Sequence, residues 1–189
     1  MERLKKQSIT KLLIMFWNIF RMLFIRFRCG SKADISLLQN INPTCEIAIA
    51  NGKRIVMKQS IFTRKNVSFR VENGELIIGT SFFNQGCSIT CMDKIEIGDN
   101  CLFGPNVVIV DHDHDYKFVD CERGANYLTA PVYIADNVWI GANVTILRGT
   151  TIGEGTVIGA GCVVKGEIPA NSVVTYKREQ VVKPISARR

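Results

Sequence analysis

The sequence predicts an all-β protein built as a solenoid, and a repeat of six residues is the main reason. From Ile134 to Val164 an aliphatic residue occupies every sixth position: Ile134, Ile140, Ile146, Ile152, Ile158 and Val164. The position four residues later is small or β-branched each time: Val138, Val144, Thr150, Thr156, Cys162 and Ile168. Helices repeat every 3.6 residues and strands every two, so neither element alone produces this period.

A six-residue unit has room for one short strand and a tight bend. Three units close a triangular coil, and successive coils stack at the spacing of neighbouring strands, about 4.8 Å. Each coil buries its interior only when another coil lies above and below it. Glycine and asparagine recur where the corners should fall, and we expect them to tolerate positive φ there: Gly98, Asn100, Gly141, Asn143, Gly153, Gly155, Gly159 and Gly161.

The same register extends upstream and breaks once. Ile97, Phe103 and Ile109 continue the pattern, but the separation of Ile109 from Ile134 is not a multiple of six. Residues 111–131 are therefore predicted to leave the coil as a loop, which is where solenoids usually carry function. Irregular alternation between Ile47 and Leu76 is interpreted as the first, degenerate coils.

Composition is consistent with one solenoid domain and two basic ends. We divide the 189 residues into an amphipathic helix at 1–30, a solenoid at 31–175 and a tail at 176–189. The seven cysteines lack metal-ligand spacing, which favours buried free thiols in a reducing cytoplasm. The formal charge of +7 is concentrated at the ends, which suits anionic lipid, phosphates or an acidic polysaccharide better than nucleic acid.

The amino-terminal segment has one apolar helical face and basic flanks. A central arginine and a short apolar run argue against a membrane-spanning helix. Two interpretations remain, a helix that packs on the solenoid or on neighbouring subunits, and a helix that lies in the interface of the inner membrane. The apolar face comprises Leu12, Leu13, Phe16, Ile19, Phe20, Leu23, Phe24 and Phe27.

Both histidines of the chain, His112 and His114, lie where the register breaks. Near neutral pH an imidazole can take a proton from a hydroxyl, as a general base in acyl transfer does. Asp111, Asp113 and Asp115 could orient it, although two surface histidines in an acidic turn is the competing interpretation. A zinc site of three histidines, as in γ-type carbonic anhydrases, is disfavoured with two in the chain, so we expect no metal requirement.

Several motifs together resemble the hexapeptide-repeat acyltransferases. They are IGDNCLFGPNV, the histidine loop, VYIADNVWIG and VIGAGCVVKGEIPANS, within residues 78–172. The chain is most similar to the maltose and galactoside O-acetyltransferases and to the O-acetyltransferases of capsule, exopolysaccharide and lipopolysaccharide. The resemblance implies a left-handed parallel β-helix, a homotrimer, and transfer of an acetyl group from acetyl-CoA to a hydroxyl. The run DHDHDY favours the polysaccharide-modifying members.

The resemblance also implies roles for individual residues. His114 stands at the position of the family's catalytic base, with His112 as second candidate and Asp111 beside them, and a backbone N–H near Gly141 or Ala142 would stabilise the oxyanion. The residues expected to bind acetyl-CoA are Trp139, Gly141, Ala142, Gly159, Ala160, Lys165, Lys177 and Arg178. Those expected to bind the acceptor are Asn84, Asp113 and Tyr116.

The function expected from the sequence is acetyl-CoA-dependent O-acetylation of a cell-surface polysaccharide or its precursor. A glycan acceptor and a homotrimer are the expected partners, and nucleic acid is not. The expected location is the cytoplasm, with peripheral attachment to the inner membrane if the amino-terminal helix lies in the membrane interface. A small-sugar or xenobiotic O-acetyltransferase of the same fold is the nearest alternative, followed by a non-catalytic β-helix scaffold.

Overall fold

The computed structural model describes residues 2–50, 54–58, 60–115 and 126–176. The chain begins with an α-helix, α1 (Glu2–Cys29), of which the side chains are described from Ile14 onward. A short 3-10 turn (Gly30–Lys32) leads into a long series of short strands.

The strands form three parallel sheets, which we call faces 1, 2 and 3. Face 1 contains β1 (Ala33–Ile35), β3 (Arg54–Met57), β6 (Glu75–Ile78), β9 (Lys94–Ile97), β14 (Val132–Ile134), β17 (Thr151–Ile152) and β20 (Glu167–Ile168). Face 2 contains β4 (Phe62–Thr63), β7 (Phe82–Phe83), β10 (Leu102–Phe103), β15 (Trp139–Ile140), β18 (Val157–Ile158) and β21 (Val173–Val174). Face 3 contains β2 (Glu46–Ile49), β5 (Ser68–Val71), β8 (Ser88–Cys91), β11 (Val108–Val110), β16 (Thr145–Ile146) and β19 (Val163–Val164).

The chain visits the faces in the order 1, 2, 3, and each visit to all three completes a coil. The first coil uses β1, an isolated bridge from Asn40 to Phe62 on face 2, and β2. The seventh is partial and ends at β21. The predicted left-handed parallel β-helix is confirmed, and the irregular stretch between Ile47 and Leu76 does form early coils.

The six-residue period corresponds to burial in the shared core. All six aliphatic repeat residues from Ile134 to Val164 are buried, and so are five of the six positions that follow four residues later; Ile168 is half-buried. The irregular spacing of the repeat in the early coils has a simple cause. Phe82 pairs with Leu102, twenty residues on, whereas Trp139 pairs with Val157, eighteen residues on. The longer early coils place four-residue strands on either side of the corner between faces 3 and 1, as in β8 and β9.

The corner glycines serve two different purposes. Positive φ occurs at Asn100, Asn143, Gly155 and Gly161, as expected. The expectation is wrong for Gly98, Gly141, Gly153 and Gly159, where close approach of the next coil is the constraint. At Gly141 an added Cβ would lie 2.7 Å from the backbone nitrogen of Ala160. A side chain there would force neighbouring coils apart.

The predicted buried thiols are confirmed for the cysteines of the solenoid, which are Cys45, Cys87, Cys91, Cys101 and Cys162. Burial raises the pKa of the Cys87 thiol to about 11. It is therefore protonated and unreactive at neutral pH. No group of three metal-ligating side chains occurs in the described part of the chain.

Asp99 connects coils at the corner between faces 1 and 2. Its carboxylate accepts the Thr80 N–H at 2.7 Å and contacts Lys58 Nζ at 3.3 Å. These contacts, the backbone hydrogen bond first, hold the pKa of Asp99 below its ordinary value.

Asp99→Ala should lower the free energy of unfolding by about 1 kcal/mol near neutral pH. A lowered pKa stabilises the fold above the pKa of the unfolded chain, about 3.9, and that contribution is lost as the pH falls through the folded value. Urea unfolding at pH 7 and pH 3 should show the difference between variant and wild type shrinking in acid; an equal difference at both would contradict this role.

Candidate functional site

The break in the repeat is an antiparallel hairpin made of β12 (His112–His114) and β13 (Tyr127–Thr129). It leaves the solenoid after β11 and returns before β14, so it projects from the corner between faces 3 and 1. Alternate residues of a strand share a side, so His112 and His114 point the same way. The Tyr127 ring lies between them, with its centroid 5.4 Å from that of His112 and 4.9 Å from that of His114.

Asp111 fixes the base of the hairpin. Its carboxylate is completely buried and accepts the N–H groups of Met92, at 2.8 Å, and Asp93, at 2.7 Å, from the preceding coil. The same carboxylate lies 3.2 Å from Nδ1 of His112, whose side chain is 16% exposed. Asp111 thus orients His112, as the sequence suggested for an aspartate in this loop. Its contacts to the backbone of the previous coil had no signal in the sequence.

A second contact restrains the hairpin from the following coil. Nε of Arg148 donates to Oδ2 of Asp113 at 2.6 Å. The Gly149 N–H, next along the chain, donates to the carbonyl of Ala130 at 3.1 Å. Arg148 was missed by the sequence analysis. Its position at the same corner, one coil after the break, is the signal that could have identified it. Asp113, which we expected to bind acceptor, is engaged with Arg148 in the free chain.

The residues expected to bind acetyl-CoA or the acceptor divide between two corners. Asn84, Gly141, Ala142, Gly159 and Ala160 lie at the corner between faces 2 and 3. Lys165 is exposed at the corner between faces 3 and 1, one coil beyond Arg148 and on the side of the hairpin. Lys177, Arg178 and Tyr116 lie outside the described residues. One chain alone therefore does not bring the predicted site residues together.

The amides at the corner between faces 2 and 3 differ in availability. The Gly141 N–H donates to the carbonyl of Ile158 at 2.8 Å, and the Gly159 N–H to that of Val174 at 2.8 Å. Both N–H groups are hydrogen-bonded to the next coil, so the Gly141 N–H does not fit the oxyanion role. The N–H groups of Ala142 and Ala160 donate to no acceptor in the described part of the chain. The side-chain oxygen of Asn84 accepts the Gln85 N–H at 2.8 Å.

Face 2 carries an outward column of apolar side chains along its length. Trp139 is part of it and is 56% exposed. The column follows the parallel register through Phe62, Phe82, Leu102, Trp139, Val157 and Val173. The equivalent register on face 1 alternates in character and runs through Asp34, Val56, Ile77, Glu96, Tyr133, Thr151 and Glu167. The outward column of face 2 is therefore more uniformly apolar than that of face 1.

A pocket of about 760 Å³ lies elsewhere, between α1 and the first two coils. Its lining includes Ile14, Leu38, Phe62 and Arg64 and no residue of the hairpin. We do not assign it to the chemistry, because its lining contains no histidine, carboxylate or lysine that could serve as the general base of acyl transfer.

Two segments match models of hexapeptide families. Residues 131–166 match the bacterial transferase hexapeptide of six repeats, and residues 94–110 match the hexapeptide repeat of succinyl-transferase. This chain is similar to the hexapeptide-repeat transferases. No curated protein matches the sequence.

Solved structures show the same fold. The polySia-specific acetyltransferase NeuO is 20% identical, over 83% of this chain and 82% of that one, with a TM-score of 0.51. A hexapeptide-repeat acetyltransferase from Vibrio cholerae is 24% identical, over 71% of this chain, with a TM-score of 0.50. A maltose O-acetyltransferase from Clostridium difficile is 33% identical over 75% of this chain, with a TM-score of 0.49. The chain spans 64% of the length of each of the last two structures.

Proposed function

We propose that this protein is an acetyl-CoA-dependent O-acetyltransferase that modifies a hydroxyl of a cell-surface polysaccharide or of its precursor. The observation that carries the proposal is the hairpin, which projects both histidines of the chain from a hexapeptide-repeat solenoid. A scaffold needs stacked coils but has no use for an imidazole held by a buried carboxylate. The matches to transferase repeats support the same class of reaction.

In this mechanism a histidine takes the proton of the acceptor hydroxyl as the oxygen attacks the thioester carbonyl. The resulting oxyanion accepts a hydrogen bond, for which the free Ala142 N–H is our candidate. The carbon–sulfur bond then breaks, the acetyl ester remains on the acceptor, and the imidazolium returns its proton to the departing thiolate. His114 is our first candidate for the base because it is exposed at the outer end of its strand. His112, held by Asp111, is the second.

We propose that the active site forms between two chains of a homotrimer. The hairpin and the free alanine amides occupy different corners of one prism, so an adjoining chain is needed to bring them together. The apolar column on face 2 is a surface that such contact would bury. Trp139 in that column would contact the pantetheine arm. Lys165, Lys177 and Arg178 would meet the phosphates of CoA as cationic partners.

Two observations support a polysaccharide acceptor. The DHDHDY run favours the polysaccharide-modifying members of the family it resembles, and the fold is shared with the polySia-specific enzyme NeuO. Acetyl-CoA is a cytoplasmic metabolite, so we place the reaction in the cytoplasm.

The test is an assay of thiol release from acetyl-CoA in the presence of capsular, exopolysaccharide and O-antigen glycans. Maltose, galactosides and hydroxylated antibiotics serve as the comparison acceptors. We expect release that depends on a polysaccharide, with an acetyl group on the product that mild alkali removes, because esters but not amides are cleaved. Transfer only to the small acceptors would overturn the polysaccharide assignment. Transfer to an amine would overturn O-acetylation.

The composite site has its own test. Chains carrying His114→Ala and chains carrying Ala160→Trp should each be inactive when expressed alone. Co-expressed chains should recover roughly a quarter of wild-type activity, because random assortment pairs an intact histidine with an intact binding corner in that share of the clefts. Absence of recovery from properly assembled mixtures would place the site within one chain.

A further inference from the structure

The outward side of α1 is an unpartnered aromatic face. Five of its apolar residues are 45–90% exposed: Phe16, Phe20, Leu23, Phe24 and Phe27. At 3.6 residues per turn they fall within an arc of about 100°. We call this set the aromatic face of α1. None of the described residues covers it, although phenylalanines are among the side chains that gain most from leaving water.

The opposite side of α1 is fixed to the solenoid. Met22 is completely buried in the shared core, and Ile25 and Cys29 pack against it. Arg21 donates to the backbone carbonyls of Asn42 and Cys45 in the first coil. Burial lowers the pKa of Arg21. These contacts prevent the helix from rotating to bury its aromatic face against its own chain.

Asn18 indicates that the exposed orientation is built into the sequence. Its side chain is completely buried under the helix, and neither its nitrogen nor its oxygen has a hydrogen-bond partner among the described residues. A buried amide without a partner destabilises a fold by an amount comparable to a lost hydrogen bond. The chain thus places an asparagine against its core and phenylalanines in solvent. Packing on the solenoid does not explain that choice, so the aromatic face has another partner.

Charge identifies the chemistry of that partner. Arg26 and Arg28 are exposed and border the aromatic face on its two sides, at about 60° and 40° beyond its nearest residues on a helical wheel. The first 32 residues contain eight lysines and arginines and one acidic residue, Glu2. Basic residues flanking a phenylalanine-rich helical face are the pattern of a helix that lies in the headgroup region of an anionic membrane. Among the described residues no helix is long and apolar enough to cross a bilayer.

We propose that α1 docks the protein on an anionic membrane surface through its aromatic face. The contacts of α1 are with the first coil, and the hairpin leaves the solenoid in the fourth. At about 4.8 Å per coil, the two histidines would stand about 15 Å above the first coil. That height suits an acceptor attached to the membrane by its own lipid. The docking itself does not depend on the proposed acetyl transfer, and its test needs no substrate.

The experiment is co-sedimentation of the full chain with vesicles of phosphatidylglycerol and phosphatidylethanolamine, compared with phosphatidylcholine alone. We expect the wild-type chain to bind the anionic vesicles. The affinity of Phe20→Ser/Phe27→Ser for these vesicles should be at least tenfold lower. Arg26→Gln/Arg28→Gln should weaken binding mainly at low salt, since salt screens surface charges. The matched control, Tyr133→Ser/Val163→Ser, removes two exposed side chains from faces 1 and 3 of the solenoid and should bind like wild type.

Two outcomes would overturn the proposal. One is equal binding of wild type and Phe20→Ser/Phe27→Ser to anionic vesicles, with both chains folded by circular dichroism. The other is a change in oligomeric mass of that variant in the absence of lipid, measured by sedimentation equilibrium. That change would assign the aromatic face to a second copy of the chain. Neither outcome bears on acetyl transfer, which the thiol-release assay measures separately.

Discussion

Replacing His114 by alanine should lower the rate of acetyl transfer by about a hundredfold or more. Without a base the acceptor hydroxyl must attack the thioester while still protonated, and general-base catalysis typically contributes a factor of this size. The imidazole is exposed beside Tyr127 and is not part of the core, so the variant should fold normally. The rate of thiol release at saturating acetyl-CoA measures the effect, and circular dichroism verifies the fold.

His112→Ala is the matched variant, since it removes the other imidazole of the same strand. If His114 is the base, His112→Ala should retain more activity than His114→Ala. Near-full activity in His114→Ala with a severe loss in His112→Ala would show that His112 is the general base. Near-full activity in both would remove the histidines from the mechanism.

The coils could be predicted from the sequence because each buried position is determined locally. An aliphatic residue at every sixth position fits a triangular coil, so the local sequence alone determines that these residues point inward, as Ile134, Ile140 and Ile146 do. The early coils were harder to predict because they contain additional residues at one corner. Their buried positions are therefore not separated by six residues there. Glycine conformation could not be predicted, because a glycine needed for positive φ and one needed for close stacking are identical in sequence.

The sequence identified individual residues of the candidate site but not the contacts between them. The register break located the histidines, but the contact between Arg148 and Asp113 joins residues in different coils and has no local pattern. The occupied N–H of Gly141 likewise depends on the carbonyl of Ile158 in the next coil. The division of the predicted residues between two corners is a three-dimensional property, and it is the strongest reason to expect a site shared by two chains.

Asp111→Ala should be the most destabilising change at the site, with a loss of about 2–4 kcal/mol in the free energy of unfolding. The variant leaves the N–H groups of Met92 and Asp93 without their acceptor and removes a buried carboxylate that contacts the Cys91 thiol. Unpaired backbone donors and the loss of hydrogen bonds to a charged acceptor each contribute to that cost. Urea unfolding followed by far-UV circular dichroism measures it.

Asp113→Ala is the control, because it removes a carboxylate two residues away that is 43% exposed and paired with Arg148. Exposed ion pairs contribute little, so this variant should lose less than about 1 kcal/mol. Asp111→Asn should fall between the two, since an amide keeps one acceptor oxygen but turns a donor toward the same N–H groups. If Asp111→Ala unfolded at the same urea concentration as Asp113→Ala, the hairpin would be anchored by Arg148 and Gly149 instead. The buried carboxylate would then matter only for holding His112.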